Sequence, residues 1–424
     1  MARMPGLGRW WRGRRGTWWW AIVVIVVPVA VVAGTAVTLL LSFVDAGDPK
    51  NQIELIRTGL TVGAGTGGVV ALVLAGRRQW STEHDAAERR MTELYVKAVE
   101  QLGSDKAAVR HGGLYALERV AQDNPDHRQT VVNVLCAYLR APFTPPGEPR
   151  PRQRRGIRRP LAPASCSAMA QVGQPEELTV AELDDEARQE REVRLTAQRI
   201  LAAHLQPGED PGHPVATFWA DIDLDLTGAT LIDFNLSGTR LRAVTCTTAH
   251  FIGDAWFDGA SFLGDALFDE AGFTGDALFS RTGFAKATRF NRAGFAKEVS
   301  FNRATFVGDA SFNRATFAEE AWFNRTIFRE DASFNRAAFT KDAWFTRTIF
   351  SEDAWFSGTG FTKAVWFTRA TFLKEALFGG ADFRGDTLFD DVTFHRPPDF
   401  GGAGFERTVP EPLRTQMTTQ HTQT

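Results

Sequence analysis

Phenylalanine recurs from Phe251 to Phe405 in a pattern that few folds can accommodate. It stands at 251, 257, 262, 268, 273, 279, 284, 290, 295, 301 and 306 and continues without a gap, in steps alternating between six and five. The true unit is therefore eleven residues carrying two Phe. Two positions before almost every Phe sits a small residue, such as Ala249, Ala255, Ala260, Thr282, Val365 or Ala381. Upstream the step is a plain five, through Leu226, Leu231, Leu236, Leu241, Cys246 and Phe251. A period of five matches neither the 3.6-residue helix nor the two-residue strand. It matches a solenoid in which each side of a coil uses a fixed number of residues. The ladder also explains why the chain has 33 Phe and only 3 Tyr.

The stretch TFVGDASFNRATFAEEAWFNRTIF, with a bulky apolar centre, a small residue two before it and a polar residue after, resembles the Phe-rich variant of the pentapeptide-repeat family. The resemblance spans Leu226 to Phe405 and implies a right-handed quadrilateral β-helix with four repeats per coil. One departure stands out: pure five-residue steps advance twenty residues per coil, and this ladder advances twenty-two. The extra residue falls at pairs such as Gly253-Asp254, Gly264-Asp265, Glu319-Glu320 and Lys341-Asp342. It reads as a bulge-like corner on two of the four sides, which puts regular corner geometry in doubt. Coils stacked at strand spacing, ~4.8 Å, bring Phe rings to offset-stacking distance. Phe251, Phe257, Phe262, Phe301, Phe306, Phe312, Phe317 and Phe323 are then core. They fill the lumen and leave no cavity for a substrate.

The twenty-two-residue period also sorts the outward side chains. Arg281, Arg303, Arg325, Arg347 and Arg369 fall in one column, and Arg292, Arg314 and Arg336 in another that ends at Gly358. Acids fall in companion columns, Asp254, Asp276, Glu298, Glu320 and Asp342, and Asp265, Asp309, Asp331, Asp353 and Glu375. Neighbouring columns of opposite sign are expected to neutralise each other. Trp322, Trp344 and Trp366 form an aromatic stripe on one face, with Trp355 on another. Exposed aromatic stripes mark contacts. These four Trp are the candidate partner surface, unless a loop, the upstream helix or the tail covers them.

The N-terminal segment, 1–78, reads as a membrane hairpin. Arg3, Arg9, Arg12, Arg14 and Arg15 precede an uncharged run, about 18–44, long enough for a bilayer core of ~30 Å. Trp18, Trp19 and Trp20 stand where an interfacial belt belongs. A polar turn with Asp45 and Asp48 leads to a second run, about 58–76, closed by Arg77 and Arg78. Basic flanks on the outer ends place both termini in the cytoplasm of a two-span membrane protein. Gly63-Ala-Gly65-Thr-Gly67-Gly68 matches a dinucleotide fingerprint but lacks its strand-loop-helix context. Gly59, Gly63 and Gly67 instead form a face for close helix packing. It would receive the first helix or another protomer, so a homo-oligomer stays open.

Residues 79–141 carry three short amphipathic patterns and read as a small helical bundle. Within it, Lys97 to Arg140 resembles a segment that precedes the repeats in many actinobacterial pentapeptide-repeat proteins, most closely at Gln101-Leu102-Gly103-Ser104-Asp105-Lys106 and Gly112-Gly113-Leu114-Tyr115-Ala116-Leu117-Glu118. A Pro- and Arg-rich linker, 142–177, lacks apolar periodicity and is expected to be disordered. Its arginines suit either solvent or anionic lipid headgroups. A capping box at Thr179 to Glu182 opens a helix over 178–206. The repeats occupy 216–405 and a polar tail 406–424.

The charge balance, 48 basic against 50 acidic residues, favours neither a nucleic-acid binder nor an acidic mimic. Cys136, Cys166 and Cys246 lack metal spacing and read as free thiols. The 8 His are dispersed and no nucleophile has a base at a recognisable spacing, so no catalytic, cofactor or metal residue is assigned. Asp221, Asp223 and Asp225 alternate as a capping strand would. The expected function is a non-enzymatic, membrane-tethered scaffold that presents a rigid surface to a protein partner, with no nucleic acid expected. Two alternatives accompany it. The family resemblance implies a DNA-mimicking gyrase binder, but Leu226 to Arg396 holds 21 acids and 19 bases, far from an acidic rod. The other alternative is a membrane-associated regulator acting through the helical module.

Overall fold

The computed structural model describes residues 89–146, 180–210 and 212–407, with scattered helical positions between 27 and 79. The chain divides into two compact units, Met1–Glu93 and Leu94–Thr424. In the first, the described positions inside the two expected spans are helical and exposed, among them Val27, Val31, Thr38, Thr61, Leu72 and Leu74. Their threonines return hydroxyl donors to the preceding turn: Thr35 to the Val31 carbonyl at 2.8 Å, Thr38 to Gly34 at 2.8 Å and Thr61 to Arg57 at 2.7 Å. Among the described residues no helix is long and apolar enough to cross a membrane. Most of the spans expected at 18–44 and 58–76, most of the linker at 142–177, Cys166 and nearly all of the tail lie outside the described residues.

The second unit begins with helices. They are α1 (helical over 89–102, with 94–102 in this unit), α2 (Ala107–Asp123), a 3-10 turn (Pro125–His127), α3 (Arg128–Arg140) and α4 (Val180–His204). Their apolar stripes meet in a core of Leu102, Leu114, Leu117, Val131, Leu135, Leu139, Val193 and Leu201. At Gly113 a Cβ would lie 2.8 Å from the Ala98 carbonyl oxygen and 2.9 Å from the Leu102 nitrogen. The α1 backbone therefore rests directly on α2, and only glycine permits that approach. The helix expected at 178–206 is α4. It packs on α2 and α3 and continues onto the first coil, so the bundle and the repeats share one unit.

Two glutamines make that junction. Strand β1 (Asp223–Asp225) and strand β2 (Thr230–Asn235) are the leading edge of the solenoid. Gln129 of α3 donates to the Asp223 carbonyl at 2.9 Å and accepts the Asp223 N–H at 2.9 Å. Gln198 of α4 does the same with Ile232, at 2.7 and 3.0 Å. Each side-chain amide mimics a peptide group and covers an edge that would otherwise pair with another chain. Around these contacts lies a polar network. Arg194, 1 % exposed, donates to the carbonyls of Leu139 (2.9 Å) and Ala141 (2.7 Å) and to Glu190 (2.8 Å), capping the end of α3. Tyr138 donates to the same Glu190 at 2.7 Å, and Arg110 lies 3.2 Å from it. His204 stacks on Trp219 at 4.0 Å and bridges Thr217 and Glu118.

From β1 to the last strand, β31 (Gly404–Phe405), all pairing is parallel, and the coil is right-handed with four sides. Two sides stack as eight-stranded sheets. The other two are joined into one 15-stranded sheet because β5 (His250–Trp256) runs through the corner between them. The coil length changes where the ladder changes step. Asp223 pairs with Ala243, twenty residues on, whereas Gly283 pairs with Thr305, twenty-two on. The change comes in two one-residue steps: the register slips between Ile232 and Phe234, where β2 pairs with β5, and the second residue enters between the Leu241–Phe262 and Val244–Ala266 pairs. Gly253, at φ +74°, takes up the slack at the first step, and a Cβ on it would collide with the Asp233 carboxylate.

The doubt over corner geometry is resolved by a division of labour. Within the Phe ladder each five-residue step passes through a tight turn, closed for example by Ala304 N–H to the Phe301 carbonyl at 3.0 Å. Each six-residue step passes through a wider bend, held to the next coil by bonds such as Val307 N–H to Phe284 at 2.8 Å. The two corner types alternate and repeat without change from coil to coil. Inside, the Phe form four columns. Phe257–Phe279 stack at 4.6 Å, Phe279–Phe301 at 4.8 Å and Phe312–Phe334 at 4.8 Å, with ring planes within 6° of parallel. Across the lumen the rings meet edge to face, as Phe301–Phe312 do at 5.4 Å and 81°. Every core Phe named from the sequence is at most 1 % exposed. Buried threonines in the small-residue slots are satisfied too: Thr326 donates to the Phe301 carbonyl at 2.7 Å and Thr348 to Phe323 at 2.6 Å.

Candidate interaction surface

The tight turns build the most distinctive surface. Their second residue is often Asn, and its side chain runs along the solenoid axis. Asn302 accepts the N–H of Asn324 at 3.0 Å, and Asn324 accepts that of Thr346 at 3.3 Å. On the opposite turn corner Asn291, Asn313 and Asn335 form the same ladder, at 3.1, 2.9 and 2.9 Å. The third turn residue has left-handed backbone: Arg281, Arg303, Arg325, Arg347 and Arg369 have φ of 57–59°. On the other corner Arg292, Arg314 and Arg336 (φ 57–60°) give way to Gly358, Gly380 and Gly402. An L-residue there costs roughly 1–2 kcal/mol. The first row keeps arginine at that cost through five successive coils.

The expected neutralisation between charge columns does not occur in the middle coils. The arginines occupy turn corners and the acids occupy bend corners, one face apart. Ion pairs form near the ends of the rows, Arg292 with Glu270 at 2.8 Å and Arg369 with Asp391 at 3.3 Å. Among the described residues Arg281, Arg303, Arg325 and Arg347 make no ion pair with an acid. The acids serve the backbone instead: Asp342 accepts the Ala364 N–H at 3.0 Å and Asp331 that of Asp353 at 3.2 Å. Burial pushes the Glu298 carboxyl above its ordinary range, and neighbouring Asp276, Glu320 and Glu319 push it the same way. A groove of about 600 Å³ follows the longer arginine row, lined by Asn302, Arg303, Asn324, Arg325, Thr346, Arg347, Thr368, Arg369 and Asp391.

The tryptophan stripe lies on the face that ends at this same corner. Trp322, Trp344 and Trp366 are cross-coil partners and half-buried. Their rings stack on one another, Trp322–Trp344 at 5.5 Å and Trp344–Trp366 at 4.8 Å with planes 3° apart. The middle ring thus has both faces covered, and the stripe offers indole edges outward. Trp355 is also half-buried but lies on a separate sheet, between Ser333 and Leu377. The structure therefore brings three of the four candidate Trp together and leaves the fourth apart.

The other sequence candidates have structural employment. Asp223 pairs with Arg242, and Asp225 with Arg140 of α3. Although burial raises the Asp225 carboxyl, hydrogen bonds from Thr227 and the nearby Arg140 bring it below its ordinary range overall. Cys136 and Cys246 are free and buried, and burial pushes the Cys136 thiol up to about 12. Among the described residues no group of three acidic, His or Cys side chains is placed to hold a metal.

A four-sided parallel coil with a bulky centre and a small corner residue on each side defines a β-solenoid of the pentapeptide type. A family model of pentapeptide repeats, nine copies long, matches residues 290–337 and 323–371, so this stretch of the solenoid is built of pentapeptide repeats. No curated protein matches it, and no solved structure does.

Sequence reasoning missed the Asn ladder, the left-handed arginines and the two edge-capping glutamines. The first two have a signal: Asn-Arg recurs after Phe290, Phe301, Phe312, Phe323 and Phe334. Gln129 and Gln198 have none, because nothing in their local sequence distinguishes them from solvated glutamines.

Proposed function

We propose that the chain is a membrane-tethered scaffold whose pentapeptide-repeat rod presents the Trp322–Trp344–Trp366 stripe to a protein partner on the cytoplasmic side. The stripe carries this reading: three stacked, half-exposed indoles on a rigid face are a contact surface of the kind that anchors protein interfaces. The filled lumen supports a binding role over a catalytic one. The tether is supported by the two uncharged runs with their basic flanks. It is supported also by helical threonines that satisfy their own hydroxyls and by apolar residues left open, such as Leu72 at 74 % and Val31 at 56 %.

Two measurements test it. In cells, crosslinked partners of the wild type are compared with those of a Trp322→Ser, Trp344→Ser, Trp366→Ser variant. A partner lost only from the variant supports the stripe, and an unchanged partner set with a normally folded variant removes it. Alkaline extraction of membranes tests the tether: the full chain is expected in the pellet, and its release into the supernatant would overturn that part.

A further inference from the structure

The row of turn-tip arginines has a property that a merely solvated surface does not need. Like charges repeat at strand spacing, ~4.8 Å, and repel. They are retained at backbone positions that disfavour them, and Arg281, Arg303, Arg325 and Arg347 have no acidic partner among the described residues. The chain itself shows what satisfies such a rung. Where a carboxylate occupies the neighbouring turn tip along the axis, it is engaged: Asp391 by Arg369 at 3.3 Å, Glu270 by Arg292 at 2.8 Å. Between Arg303 and Arg347 the corresponding places hold more arginine, and a groove of about 600 Å³ runs past them, floored by Asn and Thr side chains.

We propose that this groove binds an extended, carboxylate-rich segment of a protein partner, laid along the solenoid axis. This deepens, and rests on, the scaffold reading above. An extended strand rises ~3.3 Å per residue, so acids at alternate positions recur about every 6.6 Å and place two or three carboxylates over the arginine row. Guanidinium groups receive carboxylates through paired hydrogen bonds. The adjacent Trp stripe sets the choice between a peptide and a single-stranded nucleic acid. Base recognition needs open aromatic faces, whereas these indoles cover one another and expose edges.

The test uses the full chain in detergent micelles and fluorescence anisotropy. The probe is a fluorescein-labelled peptide of alternating Glu and Ser, with an alternating Gln and Ser peptide as its neutral counterpart. The groove variant is Arg303→Asn, Arg325→Asn, Arg347→Asn. The control is Arg292→Asn, Arg314→Asn, Arg336→Asn, which removes the same charge from the other corner. Asn tolerates left-handed backbone, so both variants are expected to keep the fold, checked by unchanged melting. The acidic peptide should bind and the neutral one should not. The groove variant should bind about tenfold more weakly, the control within about twofold of wild type, and added salt should weaken all binding. Equal loss in both variants, or no binding of the acidic peptide, overturns the proposal. So does groove-dependent preference for oligothymidylate or for phosphatidylserine vesicles. If the peptide fails while crosslinking through the Trp stripe persists, the groove assignment falls and the scaffold reading stands. If Trp-dependent crosslinking is also lost, both fall.

Discussion

Gln198 pairs with Ile232 as a neighbouring strand would, giving its side-chain N–H to the carbonyl at 2.7 Å and taking the backbone N–H at 3.0 Å. The helix thereby completes the sheet edge using one side chain. Replacing Gln198 with Ala leaves both Ile232 groups buried and unpaired, a loss of about 1–3 kcal/mol. Urea unfolding should show a lower midpoint with an unchanged slope. Gln129→Ala should act similarly on Asp223, and a variant with no loss at either position would show that water replaces the glutamine.

Arg194 is expected to be the costliest polar residue to remove. Arg194→Met strands the Leu139 and Ala141 carbonyls and leaves Glu190 with less compensation, at about 3–5 kcal/mol. The double change Arg194→Met, Glu190→Leu should recover part of this. A double-mutant cycle measures the coupling, and strict additivity would rule out the network as a unit.

The Phe columns predict a gradient along the rod. Phe312 is fully buried and stacked on both sides, by Phe290 at 5.1 Å and Phe334 at 4.8 Å, so Phe312→Ala should cost about 3–5 kcal/mol. Phe405 is half-exposed and stacks on Phe383 alone among its column, so Phe405→Ala should cost clearly less. Thermal melting of the two variants decides it, and equal losses would contradict a closed middle and open end.

Two carboxylates should respond to pH in opposite senses. The Glu298 carboxyl is raised in the folded chain by burial and by its acidic neighbours. Its favourable contribution is therefore present below the unfolded carboxyl range and lost as pH rises through the folded value. Glu298→Gln should raise the melting temperature near neutral pH and leave it unchanged in acid. Asp225, where hydrogen bonds from Thr227 and contact with Arg140 outweigh burial, is lowered overall. Its contribution is present above the unfolded range and lost as pH falls through the folded value, so Asp225→Asn should destabilise near neutral pH. Melting curves across the acid range test both signs.

The parts legible in the sequence are those set by a period. Phe spacing set the eleven-residue unit; with the four sides that the family resemblance implies, it gave the twenty-two-residue coil and the alignment of Arg281 with Arg303 and of Trp322 with Trp344, because a solenoid converts sequence distance directly into spatial neighbourhood. What depended on contacts between distant, non-repeating segments was invisible. Gln198 meets Ile232 across 34 residues and Gln129 meets Asp223 across 94. The arginines were visible as a column but not as unpaired, because their pairing depends on which corner type each residue occupies. That distinction emerges only once five-residue steps are seen as tight turns and six-residue steps as bends.

The change from twenty- to twenty-two-residue coils, begun between Ile232 and Phe234 and complete at the Val244–Ala266 pair, has a consequence for how such a rod can change over generations. Below it the coils share one backbone plan, so loss or duplication of a coil between Trp322 and Trp366 would shorten or extend the arginine row and the tryptophan stripe together, without disturbing either end. Above it the coils match only their own helices. The chain is thus built like a ruler with a fixed handle: its length is free to vary in whole graduations, while the place where it is held stays constant.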